Sequence, residues 1–437
     1  MRVPKYIKDW KSMYESKLVS LEDAAALIKS NTRVFSAGWS GDPISLINAI
    51  SARRENLENV EFCSNNSLGL PFNDPVNDGH LLNNQWFLGR GARKEVQAGR
   101  GTYTPHHFGK QTRDMEGMEI DYGIMIVSPP DEHGFMSFGT MVSYSRYLVD
   151  TAKTVIVQVN ENQPYVFGDT LVHVSEVDYI CEGNDPILTI PVVPVNEQSA
   201  AIAEYISEFI EDGSTLQLGI GGIPNAIAKL LVNKHDLGVH SEMFTENIID
   251  LMEAGAVNNS MKTMHKFKSV ACFAGGSEKL YKWLNRNPFV EFYPVSYTND
   301  PVIIAQQRKM ISINATMSVD LSGQACSESI GPKQYSGVGG QMDFNLGASM
   351  CPGGKAFLVV NSTAKTKDGV ISTIVPMLSQ GSFVSTSRND VDYVVTEYGV
   401  AKLRGRSMKQ RAEALISIAH PDFRAELRKE AAKLLFI

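Results

Sequence analysis

Thr215-Leu-Gln-Leu-Gly-Ile-Gly-Gly-Ile-Pro-Asn225 reads as a short strand, Thr215 to Leu218, that runs into a glycine turn and then an amphipathic helix from Asn225 to Leu231. Upstream, Ile202, Tyr205, Ile206, Phe209 and Ile210 recur at offsets 0, +3, +4, +7 and +8, which is one buried helix face. Gly213 is expected to close that helix as its C-terminal cap. Helix, strand, glycine turn and second helix, in that order, are the plan of an α/β unit.

The plan is written twice. Ser20-Leu-Glu-Asp23 resembles a capping box ahead of Ala24-Ala-Ala-Leu-Ile28, and Arg33-Val-Phe-Ser-Ala37 is the strand that follows. At an offset of 181, Gly38 falls on Gly219, Gly41 on Gly222 and Pro43 on Pro224, and a short helix, Ile44 to Ile50, comes next. Three further matches are expected to pair strands: Leu57–Phe62 with Leu237–Met243, Ile124–Gly134 with Phe357–Gly369, and Val155–Asn160 with Asp392–Glu397. Four matches in one order predict a duplication rather than one large doubly wound sheet. Gly183-Asn-Asp-Pro-Ile-Leu-Thr-Ile-Pro-Val-Val-Pro194, with three prolines and no period, marks the boundary, giving domains 1–190 and 191–437.

Composition narrows the class. The chain has 437 residues, 43% hydrophobic and 20% charged, with 41 Lys+Arg against 48 Asp+Glu and a net charge of −7. That suits a globular protein and argues against a partner such as nucleic acid or an anionic membrane. Five cysteines without a C-x-x-C pair suit reduced thiols in a cytoplasmic protein, and no histidine has the spacing of a metal ligand. The N-terminus reaches charge before any signal-peptide core can form, and the apolar runs are far shorter than the ~20 residues of a membrane span.

Three segments can carry chemistry. The glycine turn Gly219–Gly222 permits close approach to the backbone, and the helix start offers N–H donors to an anion or a developing oxyanion. It is not a dinucleotide fingerprint, because Pro224 stands where the third glycine belongs. A turn that binds nothing is the plain alternative. In His240-Ser-Glu-Met243, Glu242 lies at the C-terminal end of the strand after the glycine unit, the edge where α/β sheets hold ligands. A carboxylate nucleophile beside backbone donors suits acyl transfer, and a solvated strand-end Glu is the alternative. In Tyr335-Ser-Gly-Val-Gly-Gly-Gln-Met-Asp-Phe344, the glycines beside Gln341 and Asp343 suit a loop that brings amides to a ligand, or a hairpin. Cys326 reads as a small buried residue, and Arg404, Arg406 and Arg411 as a solvated helix-end face that could meet phosphate.

On these segments the chain resembles the acetyl-CoA hydrolase/transferase family, and within it the 4-hydroxybutyrate and butyrate CoA-transferases. The resemblance rests on Val127-Ser-Pro-Pro-Asp-Glu-His-Gly134, Gln217-Leu-Gly-Ile-Gly221, His240-Ser-Glu-Met243, Ser336–Phe344, Asp392–Gly399 and Arg411–Phe423, and it covers almost the whole chain. It implies two tandem, similar α/β domains of the CoA-transferase type with the active site between them. It implies Glu242 as the catalytic glutamate, with Gln217, Leu218, Gly219, Ile220, Gly221, Gly222 and Ile223 as the loop along CoA. Gly339 and Gly340 would supply amides to CoA or the oxyanion, and Asn299 in Tyr297-Thr-Asn-Asp-Pro301 would lie near the site. Trp39-Ser-Gly-Asp-Pro43 falls in a stretch that varies within the family. The implied reaction moves CoA between 4-hydroxybutyryl-CoA or butyryl-CoA and acetate through a glutamyl-CoA thioester. Coenzyme A is a substrate, no metal or permanent cofactor is needed, and a homodimer or homotetramer is expected. An acyl-CoA hydrolase on the same fold and a non-catalytic CoA-binding module are the rival readings.

Overall fold

A computed structural model describes residues 1–66 and 79–436. The chain folds as two compact units. The first comprises Met1–Pro191, Val270–Thr298 and Tyr335–Gly337, and the second Val192–Ser269, Asn299–Gln334 and Val338–Ile437. The linear division at 190/191 is thus amended by two later segments that fold with the first unit.

The first unit is built on a sheet of seven parallel strands: β1 (Arg33–Ser36), β2 (Val60–Asn65), β3 (Leu81–Phe87), β4 (Gly101–Tyr103), β5 (Tyr122–Val127), β6 (Thr154–Val159) and β7 (Tyr179–Glu182), in the order β7-β6-β5-β1-β2-β3-β4. Its core includes Val34, Phe62, Ile124 and Ile156 from the strands, packed with Ala24, Ala25 and Ile28 and with Leu46, Ile47 and Ile50. Those two apolar sets come from helices α1 (Leu21–Ala26), which Ser20 caps by accepting from the Asp23 N–H, and α2 (Ile44–Ala52).

The second unit has a sheet of six strands: β8 (Thr215–Gln217), β9 (Gly238–Val239), β10 (Met310–Ala315), β11 (Lys355–Val359), β12 (Tyr393–Thr396) and β13 (Gly399–Lys402). They lie in the order β9-β8-β10-β11-β12-β13, parallel except for the last pair. The strand order reverses between β8 and β10, the kind of switch point at which open α/β sheets bind ligands.

Comparison of the two orders upholds the repeat and corrects three of its details. The series β2-β1-β5-β6-β7 matches β9-β8-β10-β11-β12. Ile124–Gly134 therefore corresponds to the strand at Met310–Ala315, not to Phe357–Gly369, and Val155–Asn160 corresponds to Lys355–Val359, not to Asp392–Glu397. Apolar runs identify strands but not their neighbours in a sheet, so both expected matches slipped by one strand. The register of the second strand also moves. Val34 lies opposite Phe62, and Thr215 opposite Gly238. Phe62 then matches Gly238, an offset of 176 instead of the 180 implied by pairing Leu57 with Leu237. At that offset Asn66 stands where Glu242 stands, so only the second sheet carries a carboxylate at this place.

Helix α3 (Glu197–Ser207) buries Ile202 and Ile206, as the periodicity predicts, together with Ala203, but Tyr205, expected on the same face, is exposed, and the helix ends at Ser207 with Glu208 as its C-cap. Gly213 does not cap it. With φ +72° it makes the left-handed turn into β8 instead.

Candidate functional site

Glu242 follows β9 by three residues, at the carboxyl edge of the second sheet. The residue before it is tied down: Ser241 Oγ donates to the Leu218 carbonyl at 3.1 Å, the last position before the glycine turn. Ser241 and His240 are both fully buried.

The partners of Glu242 come from two elements that are fixed by local sequence. Asp300 caps helix α5 (Pro301–Ala305), accepting from the Val302 N–H at 2.8 Å, with Pro301 in the first turn where its missing N–H is tolerated. Helix α6 (Gln341–Met350) packs Phe344 and Ala348 against Ile304, Met310 and Ala356. Burying a side chain the size of Phe344 stabilises by roughly 2 kcal/mol. Gly347 lets the two helices meet, since a Cβ there would lie 2.5 Å from Ile304 Cβ. Asn299, just before the cap of α5, and Gly340, the N-cap of α6, are brought to one point.

That point is the Glu242 carboxylate. Asn299 Nδ2 donates to Glu242 Oε2 at 2.7 Å and lies 3.4 Å from Asp343 Oδ2, and the Gly340 N–H also donates to the Glu242 carboxylate. Asn299 is fully buried and Asp343 is 3% exposed. Burial pushes the Glu242 carboxyl up to about 7, with the Asp343 charge adding to the rise while the bonds from Asn299 and Gly340 oppose it. Gly340 is required by space: a Cβ would stand 2.0 Å from Glu242 Oε2 and 2.2 Å from Asn299 Nδ2. Gly339, at φ +59°, makes the left-handed turn ahead of it. Gln341 and Asp343, expected in a loop, are already in the first turn of α6.

The glycine turn divides into two roles. Gly219 has nothing within 4 Å of where a Cβ would be, Gly221 has only Pro224 Cδ at 4.0 Å, and Ile220 is 40% exposed. Gly222 is packed, its Cβ position 2.8 Å from Ser199 Oγ, and it begins helix α4 (Gly222–Leu230), whose first turn offers the N–H groups of Gly222 and Ile223. The equivalent N-terminal turn is filled: a Cβ on Gly38 would meet the Asn65 carbonyl at 2.7 Å, and one on Gly41 would meet Met141 Cβ at 2.7 Å. One copy of the turn is open to a ligand and the other is part of a core.

Not every expected residue presents its side chain there. Gln217 is buried and its Oε1 accepts from Ser312 Oγ at 3.0 Å, Ile313 N–H at 3.0 Å and Asn314 Nδ2 at 3.1 Å, so it stitches β8 to β10. Leu218 is 1% exposed and contributes backbone only. Arg411 donates to the Ser322 and Arg388 carbonyls, and Arg404 Nη2 lies 3.5 Å from Asp392. Cys326 is buried, with its thiol on Ser329. Asp343 was missed as a neighbour of Glu242, although its place three residues after Gly340 puts it in the first turn of the helix that Gly340 caps.

The acetyl-CoA hydrolase/transferase N-terminal domain matches residues 4–194 and the C-terminal domain of the same name matches residues 276–431. The 4-hydroxybutyrate coenzyme A transferase of Clostridium kluyveri is 43% identical, covering 97% of this chain and 99% of the relative. The butyryl-CoA:acetate CoA-transferase of Anaerostipes caccae is 38% identical over 97% and 98% of the two chains. The crystal structure of RipA from Yersinia pestis superposes with a TM-score of 0.92 at 33% identity, covering 98% of this chain and all of that one. With matches at both ends of the chain and relatives spanning nearly all of it, the chain belongs to the acetyl-CoA hydrolase/transferase family.

Proposed function

We propose that this chain is an acyl-CoA:carboxylate CoA-transferase that moves CoA between a short-chain acyl-CoA, 4-hydroxybutyryl-CoA or butyryl-CoA, and acetate, with Glu242 as nucleophile. The observation that carries the reading is a half-buried carboxylate held at one oxygen by Asn299 beside the glycine cap of α6, in a segment that Ser241 ties to the last residue before an open glycine turn.

In the proposed reaction, Glu242 attacks the thioester carbonyl and expels CoA thiolate, leaving a mixed acyl-glutamyl anhydride. The thiolate then attacks the glutamyl carbon, and the acyl carboxylate leaves. Acetate attacks the resulting glutamyl-CoA thioester, CoA thiolate is released again, and its attack on the acetyl carbonyl of the new anhydride yields acetyl-CoA and free Glu242. The thioester's energy is retained at each stage, so the exchange needs no ATP. Backbone N–H groups of the glycine turn and of Gly339 and Gly340 are suited to the tetrahedral oxyanions, each worth ~10²–10³ in rate. Water must be kept from the anhydride, since hydrolysis at that stage would convert transfer into thioester cleavage.

The nucleophile must be ionised, which fixes the pH dependence. With the Glu242 carboxyl at about 7, kcat/KM is expected to fall as pH drops below 7 and to level off above 8. A profile that is flat between pH 5.5 and 8.5 would contradict the assignment.

The function itself is tested by acceptor dependence. CoA released from butyryl-CoA or 4-hydroxybutyryl-CoA without acetate is expected to be far slower than acetyl-CoA formation with it. Equal rates would make the protein a hydrolase instead.

A further inference from the structure

The strand that leads to Glu242 is an edge strand. Within its sheet β9 pairs with β8 on one side only, where the Gly238 N–H donates to Ser214 O at 2.9 Å and the His240 N–H to Leu216 O at 3.1 Å; on the outer side backbone pairing stops at Leu237, just before β9, whose N–H donates to Ala256 O at 2.9 Å and whose carbonyl accepts from the Asn259 N–H at 3.0 Å. Alternate residues of a strand turn their backbone groups to opposite edges, so Val239 directs both its N–H and its carbonyl outward. Among the described residues no strand takes them. Two side chains do so: Asn259 Oδ1 accepts from the Val239 N–H at 2.9 Å, and Lys262 Nζ donates to the Val239 carbonyl at 2.8 Å.

Both are anchored from behind and buried. Asn259 Nδ2 donates to Ser269 Oγ at 3.1 Å and Lys262 Nζ to the Lys268 carbonyl at 2.8 Å, and each residue is 1% exposed. Burying an ammonium carries a desolvation penalty of several kcal/mol, which an apolar residue at this place would not incur. The strand makes room for it, because a Cβ on Gly238 would stand 2.5 Å from Lys262 Cγ. The amide and the ammonium together do for the open edge what a neighbouring strand does elsewhere.

We infer that Asn259 and Lys262 are positioning residues of the transfer reaction. By completing the open edge of β9 they fix the strand that ends three residues before Glu242, and so keep the carboxylate on Asn299 and Gly340. The inference rests on Glu242 being the nucleophile.

Steady-state kinetics of Lys262→Met, Asn259→Ala, Asn259→Asp, Asn259→Leu and Glu242→Ala, run together on full-length protein, test it. Lys262→Met keeps the apolar stem and removes the charge. Asn259→Asp keeps an acceptor for the Val239 N–H. Misplacing a reacting group by about an ångström costs up to ~10²-fold, so Lys262→Met and Asn259→Ala are expected to lower kcat by about 10- to 100-fold with little change in the KM for acyl-CoA. Asn259→Asp is expected to restore most of the kcat, whereas Asn259→Leu, of like volume but with no acceptor, is expected to stay as slow as Asn259→Ala, which a merely space-filling role would not predict. Should Lys262→Met fail to fold, the three Asn259 variants decide alone. The clamp is overturned if Asn259→Ala keeps its kcat, if Asn259→Asp is as slow as Asn259→Ala, or if the loss lies in KM. An active Glu242→Ala variant would overturn the nucleophile instead, whereas an inactive one beside a normal Asn259→Ala overturns the clamp alone.

Discussion

Glu242→Ala is expected to lower CoA transfer by ~10⁴-fold or more, the scale on which removal of a covalent nucleophile acts. The loss should appear in kcat and kcat/KM alike, since the bond it removes forms only along the reaction path. Glu242→Gln separates this from unfolding. In the folded chain the carboxyl is raised to about 7, so its ionisation opposes folding. Relative stability from this group is fully present below its unfolded pKa of ~4.3 and is lost as pH rises through 7. The neutral amide escapes that penalty. Glu242→Gln is therefore expected to match the parent in thermal stability at pH 4 to 5 and to exceed it at pH 8, by an amount on the order of 3 kcal/mol, while being inactive at both. A variant destabilised at pH 8 would show that the carboxylate holds the fold together, contrary to its place in the site.

Gly340→Ala is expected to have the second largest effect, with a different signature. The new methyl would fall 2.0 Å from Glu242 Oε2 and 2.2 Å from Asn299 Nδ2, both at the ends of side chains that can swing aside. Gly340 itself has φ −90°, which alanine adopts without strain. The conflict is thus resolved by moving the carboxylate rather than the backbone. Thermal stability should change by less than about 1 kcal/mol, since nothing rigid is displaced, while kcat falls ~10²–10³-fold as the nucleophile and its N–H donor part company. A normal kcat would mean that the carboxylate position seen against Asn299 is not the one used in the reaction. Loss of stability in step with activity would point to an obstacle in the backbone.

Much of this was readable from the chain. The strand, glycine turn and helix at 215–231 set the α/β plan, and reading Leu237–Met243 as the next strand puts Glu242 at the right sheet edge, although the strand itself stops at Val239. Residues that act through tertiary contact were not readable. Nothing in the spacing of Asn299, Gly340 and Asp343 says that α5 and α6 cross at Gly347 and so deliver them to one carboxylate. Gln217 looked like part of a ligand loop, but a polar residue at the end of a central strand is also well placed to satisfy the neighbouring strand, and the bonds to Ser312, Ile313 and Asn314 took it. The repeat was recognised from its first strand and turn, where glycine and proline limit what the chain can do. Beyond that point apolar strands look alike, and the later correspondences slipped by one. Asn259 and Lys262 carry no motif at all, since a clamp on an edge strand depends on which strand lies outermost.

The central claim is that CoA is carried covalently on Glu242. It is tested most directly by mixing the protein with butyryl-CoA in the absence of acceptor acid, reducing the adduct with borohydride, and mapping the modification by mass spectrometry. The predicted result is a stoichiometric modification on the peptide that contains His240-Ser-Glu-Met243, absent from Glu242→Ala. Modification confined to any other peptide, or rapid transfer with no trapped adduct, would contradict it.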